Sequence, residues 1–257
     1  MQLSTFVNRL DDDLRTADFS DLDASANGLQ VGPDGEETTV GHAAFAVDAA
    51  LETIAGAADA GADVLVTHHG ISWGGIEHVT GRTYDRLEAL IDNDLALYVS
   101  HLPLDSHPEL GNAAGVADVL ELGDREPFGS YGPEHIGQRG RVDEPYTVTT
   151  LRETLEQSLE TGGRPVPILE FGPERIEKIA IVTGSGVDWL DEAVDAGADV
   201  LVTGEGKQQV YHDAREAGIH VALAGHYATE TFGVRSLQAK AESWGLETTY
   251  LEVPTGL

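Results

Sequence analysis

Cysteine is absent from the 257 residues. That excludes a disulfide framework and thiolate metal sites, so any transition metal must be held by nitrogen and oxygen. Cations are scarce too: 15 Lys and Arg stand against 45 Asp and Glu, for a formal net charge of -30, and the only lysines are Lys178, Lys207 and Lys240. A chain this negative lacks the basic face that displaces counterions from nucleic acid, so no nucleic-acid partner is expected. No stretch approaches the roughly 20 apolar residues of a membrane span. The first residues carry neither the basic segment nor the continuous apolar run of a signal peptide. The expectation is a cytoplasmic protein with no membrane partner.

The carboxylates that are present do not form a block, as an acidic tail for a basic partner would. They run from Asp11 to Glu252, interspersed with apolar residues at folding periodicity, and read as a solvated surface around an ordinary core. Self-repulsion of this size opposes compaction at low ionic strength, whereas near 1 M salt the screening length falls to about 3 Å. An evenly acidic, lysine-poor surface therefore suits the salt-rich cytosol of a halophile.

An internal repeat organises the chain. DAGADVLVT at residues 59–67 recurs without change at 195–203, an offset of 136 positions from Asp59 to Asp195, and the same offset lays VGHAAFAVD on IEKIAIVTG. In each copy an apolar strand leads into an alanine-rich helical stretch, a helix-ending glycine (Gly61, Gly197) and the short strand ADVLV. Strand, helix and strand in this order make a βαβ unit with parallel strands. A further helix and strand follow in each copy: TYDRLEALIDN with LALYVS, and KQQVYHDAREAG with IHVALAG. The predicted fold class is α/β, two related halves from an internal duplication with the metal site in the cleft between them, divided near 123/124. The Gly- and Pro-rich stretch 123–145 reads as the connection, with short strands at most, and a helix is expected over 149–159.

In parallel α/β sheets, sites form beyond the carboxyl ends of the strands. That rule selects particular histidines from the ten present. His68 and His69 follow ADVLVT, His101 follows LALYVS, and His226 follows HVALAG; Asp105 and Glu230 each lie four residues after a histidine. If a helix begins at His226, it shares a face with Glu230, whereas Pro103 predicts a loop between His101 and Asp105. Imidazole with carboxylate suits Zn, Mn, Fe, Co or Ni. Neighbours in extended chain point to opposite sides, so His68 and His69 more naturally serve two ions than one. The candidate metal ligands are His68, His69, Asp105, His226 and Glu230.

THHGISW (67–73), SHLPLDSHPELGN (100–112), GHYATE (225–230) and NGLQVG (27–32) together resemble the signature segments of the Nif-three-like family, whose members are also named GTP cyclohydrolase I type 2 homologues. The resemblance runs along nearly the whole chain and in the family's order, without the large inserted domain of some members. It implies a dinuclear centre at the interface of the halves and a toroidal homohexamer. It further implies His68 and Asp105 on one metal, His69 and His226 on the other, and Glu230 bridging. His101 matches a histidine near the metals, either a proton-transfer candidate and so the candidate catalytic residue, or a hydrogen-bond partner of a ligand.

Other features carry less. Glu205 occupies the repeat position of His69 and lines a pocket or stabilises a turn. Residues 184–186, Gly-Ser-Gly, offer either amides for a phosphate or a plain tight turn. GEGKQ lacks Walker A spacing. Trp73 and Tyr227 either stack on a base or pack as wall. Two functions follow: a metal-dependent hydrolase acting on a small anionic substrate such as a nucleotide or phosphate ester, or a non-catalytic protein in which two cations tie the halves and the hexamer together.

Overall fold

The computed structural model describes residues 1–33 and 38–257 and divides them into two compact units, 1–104 with 233–253, and 105–232 with 254–257. The division falls at 104/105 rather than 123/124, and the C-terminal stretch returns to the first unit. Among the described residues no helix is long and apolar enough to cross a membrane.

The first unit opens with α1 (Leu3–Leu14), whose Leu3, Phe6, Leu10 and Leu14 form one buried stripe at helical spacing. There follow β1 (Gly28–Val31), β2 (His42–Asp48), α2 (Leu51–Asp59), β3 (Val64–His69), α3 (Arg82–Asp92) and β4 (Ala96–Val99). A single turn, α4 (Leu102–Asp105), stands where Pro103 predicted a loop. Proline is tolerated there because the first turn of a helix needs no backbone N–H from it.

The second unit contains α5 (Asn112–Val119), β5 (Gly123–Tyr131), β6 (Glu134–Tyr146), α6 (Val148–Ser158), β7 (Ile168–Leu169), β8 (Ile176–Ile181), α7 (Leu190–Asp195), β9 (Val200–Thr203), α8 (Val210–Ala217), β10 (His220–Leu223) and α9 (His226–Thr229). Then α10 (Thr231–Ser243) carries the chain back to the first unit, and β11 (Glu247–Tyr250) ends it. The stretch 123–145 is thus a long antiparallel hairpin integrated into the second sheet. β5 is mostly exposed and neither strand alternates cleanly, so it is pairing, β5 with β6 and β6 with β8, as in Arg139 with Ala180, that makes them sheet.

The first sheet runs β1-β4-β3-β2-β11 and the second β5-β6-β8-β9-β10-β7. In each, three parallel strands (β2, β3, β4; β8, β9, β10) are flanked by an antiparallel edge strand, β1 beside β4 and β7 beside β10. The repeat is kept to the residue. Ala43, Ala44 and Phe45 pair with Val64, Leu65 and Val66, and at the offset of 136 Ile179, Ala180 and Ile181 pair with Val200, Leu201 and Val202. Even the strand entry matches. Asp63 Oδ2 accepts the N–H groups of Gly41 and His42 at 2.7 and 3.0 Å, and Asp199 Oδ2 those of Glu177 and Lys178, both at 2.8 Å. The central strands are buried on both faces, as parallel strands between helices must be. Each unit has its own core, around Ile54, Leu65, Leu90 and Leu97 in the first and around Val116, Leu151, Ile179 and Val200 in the second.

Candidate metal centre

Parallel register aligns the carboxyl ends of β2, β3 and β4, with Asp48 opposite His69 and Thr67 opposite Val99, so Asp48, His68, His69, Ser100 and His101 gather at one end of the first sheet. One nitrogen each from His68, His69 and His101 lies within 4.8 Å of the others. The rings of His68 and His69 are 4.7 Å apart at their centroids. They do not point to opposite faces as strand alternation predicted. His68 leans toward β4, its Nδ1 2.9 Å from the Ser100 carbonyl, while His69 leans toward β2, its Nδ1 2.9 Å from Asp48 Oδ1.

His101 is held by groups distant in sequence. Its Nδ1 lies 3.0 Å from both carboxylate oxygens of Asp23, and its backbone N–H donates to Asn27 Oδ1 at 2.8 Å. Asp23 also accepts from the N–H of Ser25, the N–H of Leu102 and the Asn27 amide. Burial alone would raise its pKa, but the His101 hydrogen bond and charge, with the Asn27 and Ser25 bonds, outweigh burial and bring it down to about 2. Asp23 is therefore a fixed anion behind His101. Trp73 stands edge-on over His101, ring centroids 5.0 Å apart, and is 46% exposed.

In the second unit the other donors gather where β8 and β10 end. His226 opens α9 and Glu230 caps it, and the expected shared face places His226 Nε2 3.2 Å from Glu230 Oε2. On the far side of the ring Nδ1 lies 3.3 Å from Glu205 Oε1, which accepts a short hydrogen bond from the Ser185 hydroxyl. Burial pulls the His226 pKa down, yet the two carboxylates overcome it and raise it to about 9. Glu205 is held below the ordinary carboxylate range, first by the Ser185 hydroxyl. Gly184 must be glycine here: its φ is +57°, and a Cβ would collide with Glu230 Oε1. The Gly184 and Gly186 amides are taken by Thr229 Oγ1 and Thr203 Oγ1, so the Gly-Ser-Gly segment is a tight turn and not a phosphate cradle. Asp105, buried, accepts the Asn112 amide at 2.8 Å. Tyr227 is buried as wall, not offered for stacking.

The donor set fits divalent transition metals: imidazole nitrogens clustered within ligand reach, buried carboxylates, and no competing thiol. Sequence reasoning did not find Asp48, Asp23 or Asn27. Asp48 carried a signal, since it ends a parallel strand of the repeat, whereas Asp23 lies 78 residues from the histidine it holds.

The family described as Duf34/NIF3 (NGG1p interacting factor 3) matches residues 1–255. The chain belongs to the DUF34/NIF3 family. A Halobacterium salinarum relative named GTP cyclohydrolase 1 type 2 homolog is 54% identical over 257 residues, covering all of both chains. An Archaeoglobus fulgidus protein of the same name is 41% identical over 258 residues, again with full coverage. Among solved structures, TTHA1606 from Thermus thermophilus is 36% identical with a TM-score of 0.89 and full coverage of both chains. In this NIF3 chain the NGLQVG segment has a visible task. Asn27 fixes the backbone at His101, and Gln30 Oε1 accepts the N–H groups of Ile71 and Ser72 at 2.6 and 3.1 Å, fixing the chain just after His69.

Proposed function

We propose that this NIF3-family protein binds two divalent cations per subunit through His68, His69, Asp105, His226 and Glu230 and hydrolyses a small anionic substrate, a nucleotide or other phosphate-containing molecule. The observation that carries this is the cluster of imidazole nitrogens within 4.8 Å at the carboxyl ends of parallel strands, where α/β folds place their chemistry. Bound divalent cations supply a hydroxide nucleophile near neutral pH and stabilise developing negative charge. The chain's residues do the rest. Asp105 and Glu230 bring two negative charges against four positive ones, so an anionic substrate is still attracted. His101, its Nδ1–H held on the ionised Asp23, has Nε2 available to take up and return a proton. A cavity of about 380 Å³, lined by Glu205, Arg164, Pro165 and Pro167 among others, gives the His226 end small-molecule dimensions.

Metal analysis of the purified protein, then a screen of nucleotides and phosphoesters with and without chelator, tests the reading. Two ions per subunit and chelator-sensitive turnover are expected. Two ions with no turnover, and with every coordination position closed by protein ligands, would overturn the hydrolase and leave the structural role.

A further inference from the structure

Every histidine at the candidate centre is held by the same atom. Nδ1 of His68 meets the Ser100 carbonyl, Nδ1 of His69 meets Asp48, Nδ1 of His101 meets Asp23, and Nδ1 of His226 meets Glu205, at 2.9 to 3.3 Å. The four anchors come from different places in the sequence: the residue before His101, the end of β2, the segment before β1, and the loop after β9. Common ancestry of the repeat does not account for this, because the His69 position is occupied by Glu205 in the second copy. What the anchors share is chemistry: each accepts a hydrogen bond from Nδ1–H and so leaves Nε2 as the donor nitrogen. A metal-bound imidazole is oriented in this way, and made more basic, by a carboxylate or carbonyl on its other nitrogen.

We propose that Asp48 and Glu205 are positioning residues of the metal centre, each fixing one imidazole, His69 or His226, with Nε2 forward, and that Ser185 in turn fixes Glu205. The inference rests on the metal reading above. It assigns work to carboxylates that are themselves not ligands. Asp48 and Glu205 are the informative pair because their side chains are 39% and 48% exposed. Their replacement opens no cavity and should leave the fold intact, whereas Asp23 also ties down two backbone amides besides its histidine.

The experiment measures affinity for Co²⁺ alone, by competition with a chromogenic chelator, together with the visible spectrum of the bound Co²⁺ and the melting temperature of the metal-free protein. Asp48→Asn and Glu205→Gln keep size and a hydrogen-bonding group but remove the charge. Each should weaken Co²⁺ by roughly 10- to 100-fold and alter its visible bands, with metal-free melting unchanged. Asp48→Glu should recover part of the loss. Ser185→Ala should give a smaller loss in the same direction as Glu205→Gln. Glu177→Gln, a carboxylate paired with Arg141 and Arg175 at the surface, serves as the charge control. Affinities for Asp48→Asn and Glu205→Gln within twofold of the parent overturn the proposal, and so does an equal loss in Glu177→Gln, which would make the effect one of net charge. A parent protein that takes up no Co²⁺ would instead overturn the metal reading itself.

Discussion

Between two carboxylates, His226 holds its proton strongly. Without metal, His226 keeps its proton to about pH 9 against an ordinary 6.5, because Glu230 and Glu205 outweigh its burial. That raised value adds stability which is complete below about pH 6.5 and is lost as the pH climbs through 9. Chelator-treated protein should melt at progressively lower temperature across that range, and His226→Gln should flatten the decline; equal slopes in the two proteins would contradict the assignment. A divalent cation held by His226 would compete with that proton, so metal loading should release acid and weaken as pH falls. Glu230, 3% exposed, is the ligand whose loss should matter most if it serves both cations, as the family resemblance implies. Metal content after identical dialysis should fall furthest in Glu230→Ala, then Glu230→Gln, then His69→Ala, and full retention of two ions by Glu230→Ala would remove the bridging role. The candidate ligands could be picked out in the sequence because they follow strand ends, where α/β folds place their chemistry. Asp23 could not, because it meets His101 from 78 residues away and no periodicity or spacing links the two, while Asp48 had only its place at the end of a repeat strand to mark it.

The duplicated βαβ unit was legible at the level of elements, since nine identical residues fix both the offset and the strand pairing that follows from it. The hairpin β5–β6 was not. Its Gly, Pro and charged residues favour a loop locally, and it becomes sheet through long-range pairing, β5 on β6 and β6 on β8. Likewise, the loop expected at Pro103 closed into a turn of helix because the ring sits where no N–H is wanted. The entry to the repeat offers a paired test. Asp63 and Asp199 each accept two backbone N–H groups at the start of the first parallel strand, so Asp63→Ala and Asp199→Ala should each destabilise by roughly 1–3 kcal/mol. Urea unfolding at constant high salt measures it. A change in only one of the two would show that the halves do not use this carboxylate alike.

For the whole molecule, net charge sets the conditions of existence. The proposal that the protein needs a salt-rich medium rests on the 45 dispersed carboxylates against 15 cations. Below tens of millimolar salt, screening lengths exceed the spacing of surface charges, and circular dichroism during desalting should show folded structure being lost. An unchanged spectrum and melting temperature would refute it. Size in solution should be followed in the same samples, the proposed homohexamer running at six times 27.3 kDa. The path of the chain adds a constraint of timing. The second unit is nearly continuous in sequence, but the first is built from 1–104 and 233–253, with β11 laid beside β2. As the chain leaves the ribosome, the half begun first is therefore completed only after 105–232, the body of the second, has emerged. Until residues 247–250 emerge, the apolar β2 is an open sheet edge, the kind that pairs with other chains. A nascent chain stalled before β11 should be protease-sensitive and aggregation-prone in its first hundred residues while 105–232 is already folded, so that the emergence of β11 seals the first unit.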